Sequence, residues 1–213
     1  FQRGLVSLCD FEGNANDVTG YGNNGTINSG VSFGAGKVSR SANFNGSTGS
    51  ISIPDNANDL LDYQINMTVS VWVKLNRLST GASDWLKIFF KTQLLGGWSW
   101  EIAEVGGSDQ TLYFQIFDGS GFSSTGFKNL QIGKWYHIAA VKKGNNLTMY
   151  ANMLPPAYSL NYSGNPINNT NGPLYIGSAS GVQNYLDGSL DDARIYSRAL
   201  SDTEIKALFN ATK

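Results

Sequence analysis

Carboxylates, one histidine and one cysteine are where chemistry would start in this chain. Trp100-Glu101-Ile102-Ala103-Glu104 brings two glutamates close together in sequence. A retaining glycoside hydrolase needs two carboxyl groups about 5–5.5 Å apart. In a strand, residues i and i+3 point to opposite faces, so Glu101 and Glu104 are expected as solvated glutamates of an ordinary strand rather than an acid–base pair. His137 shares parity with Trp135, Ala139 and Val141 in an alternating run and is expected to be packed on a core face. No serine nucleophile has a paired base, and no phosphate-cradling loop sits between strand and helix. The lone Cys9 excludes an internal disulfide and a Cys-based zinc site, and the lone histidine excludes His-cluster metal chemistry. The expectation is that the chain is not an enzyme and holds no catalytic residues.

The composition narrows the classes further. Of 213 residues 15% are charged, against roughly 25% in typical domains. The net charge of −1 gives no electrostatic case for nucleic acid as a partner. No apolar run approaches the roughly 18 residues of a membrane-spanning segment. An apolar content of 41% is ample for a core and too high for disorder. One domain over 1–213 is expected. The sequence opens at Phe1 with no charged stretch followed by an apolar one, so no signal peptide is read in it.

The elements that must position these residues are short alternating runs separated by Gly, Asn, Ser and Asp, the texture of an all-β sandwich or barrel. Met67, Val69, Val71, Val73 and Leu75 share one parity, as do Leu112, Phe114 and Ile116, and Leu147, Met149 and Ala151. Further strands are read at Gly4–Phe11, Ala42–Phe44, Ser50–Ile53, Leu86–Lys91, Trp98–Val105, Leu174–Ser178 and Leu190–Tyr196. The run Lys143-Gly144-Asn145-Asn146 reads as a hairpin connection. Met153–Pro173 carries four of five prolines and reads as a long surface loop with a short edge strand near Tyr158–Tyr162. Ser201 and Glu204 form a capping box, followed by Ile205, Leu208 and Phe209 as the apolar stripe of one short helix.

Five stretches in this order resemble a family. They are Gly4–Gly13 with Gly22-Asn23-Asn24-Gly25-Thr26, Asn43–Pro54, Thr68–Lys74, Gly133–Val141, and Asp187–Ser201. Together they resemble a laminin-G-like jelly-roll domain of the concanavalin-A-like lectin/glucanase superfamily. The implied fold is all-β, a two-sheet antiparallel jelly-roll sandwich with one short C-terminal helix. Cys9 and Ala193 depart from the family pattern, which favours tryptophan and valine there. Tyr150-Ala151-Asn152-Met153 replaces its usual hairpin.

The resemblance also implies a structural calcium held by Asp191 and Glu12, with backbone carbonyls near Gly13 and Asn43–Asn45 completing the oxygen ligands that calcium requires. For a ligand, Trp98 and Trp100 share parity after Gly96-Gly97, Tyr113 and Phe117 share parity on the next strand, and Trp85 and Tyr185 lie near loops. Such rings stack on the C–H faces of sugars. Trp85, Trp98, Trp100, Tyr113 and Tyr185 are the expected ligand-binding residues, against the alternative that aromatics of this kind fill the core. Sequons occur at Asn24, Asn45, Asn66, Asn146, Asn161, Asn168 and Asn210. With 22 Asn and 35 Ser or Thr, chance gives between three and four, so glycosylation at the surface is a further expectation.

Two functional readings result. The first is an extracellular or cell-surface recognition module, glycan-binding or adhesive, whose partner is a polysaccharide or glycan. The second is a glycosylated structural subunit of a filament or other assembly, whose partners are neighbouring copies of itself. In the second, the Phe1–Leu8 segment pairs with a neighbour by strand addition.

Overall fold

The computed structural model describes residues 2–55, 61–62, 65–81, 83–92, 98–105, 110–117, 121–154, 160–161 and 171–213. Two antiparallel sheets face each other. In one, β13 (Leu160–Asn161), β12 (Asn146–Ala151), β11 (Trp135–Lys143), β6 (Asn66–Leu75), β15 (Asp187–Tyr196), β4 (Arg40–Asn45) and β3 (Val31–Ala35) lie in that order. The strand β1 (Leu5–Cys9) pairs with the second half of β15. The other sheet runs β10 (Phe122–Phe127), β9 (Thr111–Phe117), β8 (Trp98–Val105), β7 (Trp85–Thr92), β14 (Leu174–Ile176), β5 (Ile51–Ile53) and β2 (Thr26–Ile27). This is the two-sheet jelly-roll sandwich that the family resemblance implies, and its strands are those of the sandwich or barrel that the alternating runs suggest.

The core follows from the period of two. Met67, Val69, Val71, Val73 and Leu75 of β6 meet Leu112, Phe114 and Ile116 of β9 and Leu147, Met149 and Ala151 of β12 in one buried cluster. The helix α1 (Asp202–Thr212) starts at Ser201, whose side chain accepts from Glu204 N while Glu204 accepts from Ser201 N. Its Ile205 and Leu208 cover a second cluster on the outer side of the first sheet, with Ala139, Val141, Tyr196 and Leu200. Strand β11 is therefore buried on both faces. Tyr136, Ile138 and Ala140 face the main core, and the parity expected to face it lies under the helix instead.

Three strands escape the alternation reading: β2, β3 and β10. Val31-Ser32-Phe33-Gly34-Ala35 and Phe122-Ser123-Ser124-Thr125-Gly126-Phe127 are rich in the small polar residues that also make turns, so pairing with a neighbour rather than propensity makes them strands. The expected edge strand near Tyr158–Tyr162 is the two-residue β13.

The outer edge of β1 is covered. Leu8 N donates to Asp17 Oδ1 at 3.0 Å, Val18 N donates to Leu8 O at 3.0 Å, and Asn23 Nδ2 donates to Val6 O at 2.7 Å. The loop 15–24 thus takes Val6 O and both backbone groups of Leu8, which strand addition at the end of this segment would use.

Candidate functional site

The outward face of the second sheet gathers polar and aromatic residues. In β7 the sequence places two consecutive apolar residues, Ile88 and Phe89, and both enter the core. A bulge absorbs the extra residue: Lys87 pairs with Ala103, Phe89 with Ile102 and Phe90 with Glu101. Trp85, Lys87 and Phe90 consequently share the outward face with Glu101 and Ala103 of β8. Register carries this face to Tyr113 and Gln115 of β9, opposite Ala103 and Glu101.

A groove of about 360 Å³ opens on this face. Trp85, Phe117 and Phe122 supply aromatic walls, Lys87, Glu101 and Gln115 a polar floor, and Ser83 and Asn184 its loops. Lys87 Nζ lies 2.6 Å from Glu101 Oε2. The ammonium also sits 4.1 Å from the Trp85 ring centroid and 5.4 Å from that of Phe90. Both charged side chains are buried. Burial pulls the Lys87 pKa below the usual lysine range and pushes that of Glu101 above the usual carboxylate range, and each charge opposes the other's shift.

The expected ligand residues separate. Trp85 lines the groove. Tyr113 is half-buried on the same face, outside the groove lining. Tyr185 is half-buried, its hydroxyl donating to Gly181 O at 2.7 Å, and its neighbour Asn184 is the lining residue. Trp100 is a correction: it is fully buried in the core and its Nε1 donates to Leu61 O. Being of even parity on β8, it faces away from Tyr113 and the groove, so no single site holds both. Trp98 lies on β8 opposite Thr92, and its side chain is outside the described residues.

Lys87, Gln115, Phe122 and Asn184 are lining residues that periodicity passed over. A signal for two of the floor residues existed: a lysine inside Leu86-Lys87-Ile88-Phe89-Phe90 and a glutamate inside Trp100-Glu101-Ile102, on successive strands.

The glutamates are also corrected. Glu101 and Glu104 do lie on opposite faces, yet neither is solvated. Glu104 points inward, its Oε2 accepting from Ser79 N, and burial raises its pKa. His137 is packed, as expected, but beneath the helix. Its Nε2 lies 2.9 Å from Ser70 Oγ and its ring contacts Trp72 and Phe209. Burial, with Arg194 nearby, lowers its pKa to about 4.

Asp191 and Glu12 supply part of the framework a cation would need. Asp191 Oδ2 accepts from Lys37 N and Val38 N, whereas Oδ1 is buried without a partner. Burial, with Asp192 and Glu12 adding repulsion, raises the Asp191 pKa to about 6. A side chain at Gly36 would collide with the Asp191 carboxylate, so the loop approaches as bare backbone. Glu12 accepts from Arg40 N and Ser39 Oγ. Among the described residues no group of three or more His, Cys, Asp or Glu assembles, so backbone carbonyls would have to complete a calcium shell around Asp191 and Glu12. The donor chemistry, hard oxygens with one orphaned carboxylate oxygen, fits a cation.

Among the sequons, Asn24, Asn66, Asn146 and Asn210 are exposed. Asn210 lies within α1 rather than after it. Asn45 is exposed but organises a turn, its Oδ1 accepting from Ser47, Thr48 and Gly49 N. The Asn161 side chain and Asn168 lie outside the described residues.

Comparison with known proteins places this fold. The family model of the concanavalin A-like lectin/glucanases superfamily, laminin G type, matches residues 45–206. The chain belongs to this superfamily. No curated protein sequence matches it. One similar solved structure is domain 4 of AbnA, a GH43 extracellular arabinanase from Geobacillus stearothermophilus, in complex with arabinotriose. It is 22% identical with a TM-score of 0.78, over 96% of this chain and 97% of that one. Another is the binding domain of Paraclostridial Mosquitocidal Protein 1, 20% identical with a TM-score of 0.75, over 98% of this chain and 52% of that one. A third is the binding domain of Botulinum Neurotoxin DC in complex with SialylT, 14% identical with a TM-score of 0.75, over 100% of this chain and 52% of that one. The chain thus spans about half the length of these two toxin domains. At these identities the likeness shows the fold. The expectation that the chain is not an enzyme does not stand, because a domain of this fold is part of an arabinanase. Among the described residues no helix is long and apolar enough to cross a membrane.

Proposed function

We propose that this chain is an extracellular glycan-recognition domain whose ligand lies in the groove over β7–β10. The observation that carries the reading is the groove itself: aromatic walls at Trp85, Phe117 and Phe122 around a floor of Lys87, Glu101 and Gln115. Sugars need both, rings for their C–H faces and polar groups to fix their hydroxyls. The oligosaccharide bound by the arabinanase domain supports this reading, as do the two toxin binding domains. Asp191 and Glu12, which already accept hydrogen bonds from the 37–40 segment, would hold a structural calcium there, on the other sheet from the groove.

The test is a glycan array probed with wild type and Trp85→Ala. Wild type binds at least one oligosaccharide, and the variant loses about tenfold or more in affinity, the scale of a buried aromatic anchor. Equal binding by a folded Trp85→Ala rejects the groove.

A further inference from the structure

The groove floor carries one cation and one anion. Among the described residues, the only hydrogen bond of Lys87 and Glu101 side chains is the one they make to each other, from Nζ to Oε2. An ammonium has three donor hydrogens and a carboxylate two acceptor oxygens, so each keeps capacity for a further partner. The other polar floor and loop residues, Gln115, Ser83 and Asn184, are neutral. Among the described residues, Asp84, which lies between the lining residues Ser83 and Trp85 in sequence, is held by both Arg77 nitrogens at 2.6 and 3.0 Å. Among the described lining residues the charges therefore balance, with no spare cation.

We propose that the groove selects a neutral glycan through two adjacent free hydroxyl groups, one donating to Glu101 and the other accepting from Lys87. This rests on the reading of the groove as a glycan site. A hydroxyl both donates and accepts, so a vicinal diol satisfies a carboxylate and an ammonium together without adding charge. A uronate carboxylate has no such fit. It would enter beside the buried Glu101 carboxylate while Lys87 is already neutralised, and it would lose its own hydration on the way.

The test uses calorimetric binding of arabinotriose, xylotriose and galactotriose, the per-O-methylated form of each, and trigalacturonate. Wild type is expected to bind at least one neutral triose about tenfold or more tighter than trigalacturonate, and methylation is expected to abolish that binding. Glu101→Gln is expected to weaken the neutral triose and strengthen trigalacturonate, because it leaves Lys87 uncompensated. Near-UV circular dichroism checks that this variant is folded, and the ligand comparisons on wild type stand without it. Equal or tighter binding of trigalacturonate by wild type overturns the selectivity. So does undiminished binding of the methylated triose. If Trp85→Ala still removes binding in those cases, the groove survives and only the diol reading falls. Binding of none of these sugars overturns the diol reading, while the glycan array decides separately whether the groove is a glycan site.

Discussion

Lys87 and Glu101 meet at 2.6 Å across β7 and β8, although register sets them opposite Ala103 and Phe90. The contact is diagonal, made possible by the bulge that puts Ile88 and Phe89 both into the core. Strand register thus builds the groove floor from residues that no local motif joins.

The pair's energetics are asymmetric. Lys87→Met is expected to cost about 3–5 kcal/mol, because it strands a buried carboxylate. The double variant Lys87→Met/Glu101→Leu removes both charges. It is expected to be near neutral, or stabilising by up to about 4 kcal/mol. Urea unfolding of the three proteins measures this. A single variant as stable as wild type contradicts the burial of the pair.

His137 gives stability a pH dependence of definite sign. Its folded pKa of about 4 lies below the ordinary histidine value of 6.5. Unfolding therefore takes up a proton between these values. The His137 contribution is full above about pH 6.5 and is lost as pH falls towards 4. Asp191, raised to about 6, contributes in the opposite direction. The difference between wild type and His137→Gln is consequently the useful quantity. Unfolding free energies from pH 7.5 to 4 are expected to fall less steeply in the variant. Parallel curves would mean that His137 titrates normally.

Calcium is expected to raise the melting temperature of wild type after chelation. The effect is expected to disappear in Asp191→Asn, which lacks the second anionic oxygen. Calorimetric titration of the chelated protein with Ca²⁺ alone measures it. Neither heat nor stabilisation in wild type contradicts a site at Asp191 and Glu12.

Most of the fold was legible because one sheet face is apolar and the other is not. Alternation found β6, β9 and β12, and the Ser201–Glu204 box found the helix. Alternation could not say which parity of β11 faces which cluster, since both are buried. At Trp100 it was the ring's fitness for a sugar that misled, since its parity places it with Ile102 in the core. The site was legible only in part. Trp85 was read, whereas Lys87 and Gln115 become floor residues through the bulge and the register of three strands. That information is tertiary.

The most direct measurement is a titration of the ¹⁵N-labelled protein with the tightest-binding neutral oligosaccharide from an array, followed by two-dimensional NMR. Saturable shifts are expected at the Trp85 indole N–H, the Gln115 side-chain amide and the backbone amides of Lys87 and Glu101. Saturable shifts confined to residues around Asp191 and Glu12, with the Trp85 indole unmoved, would contradict a glycan site in the groove.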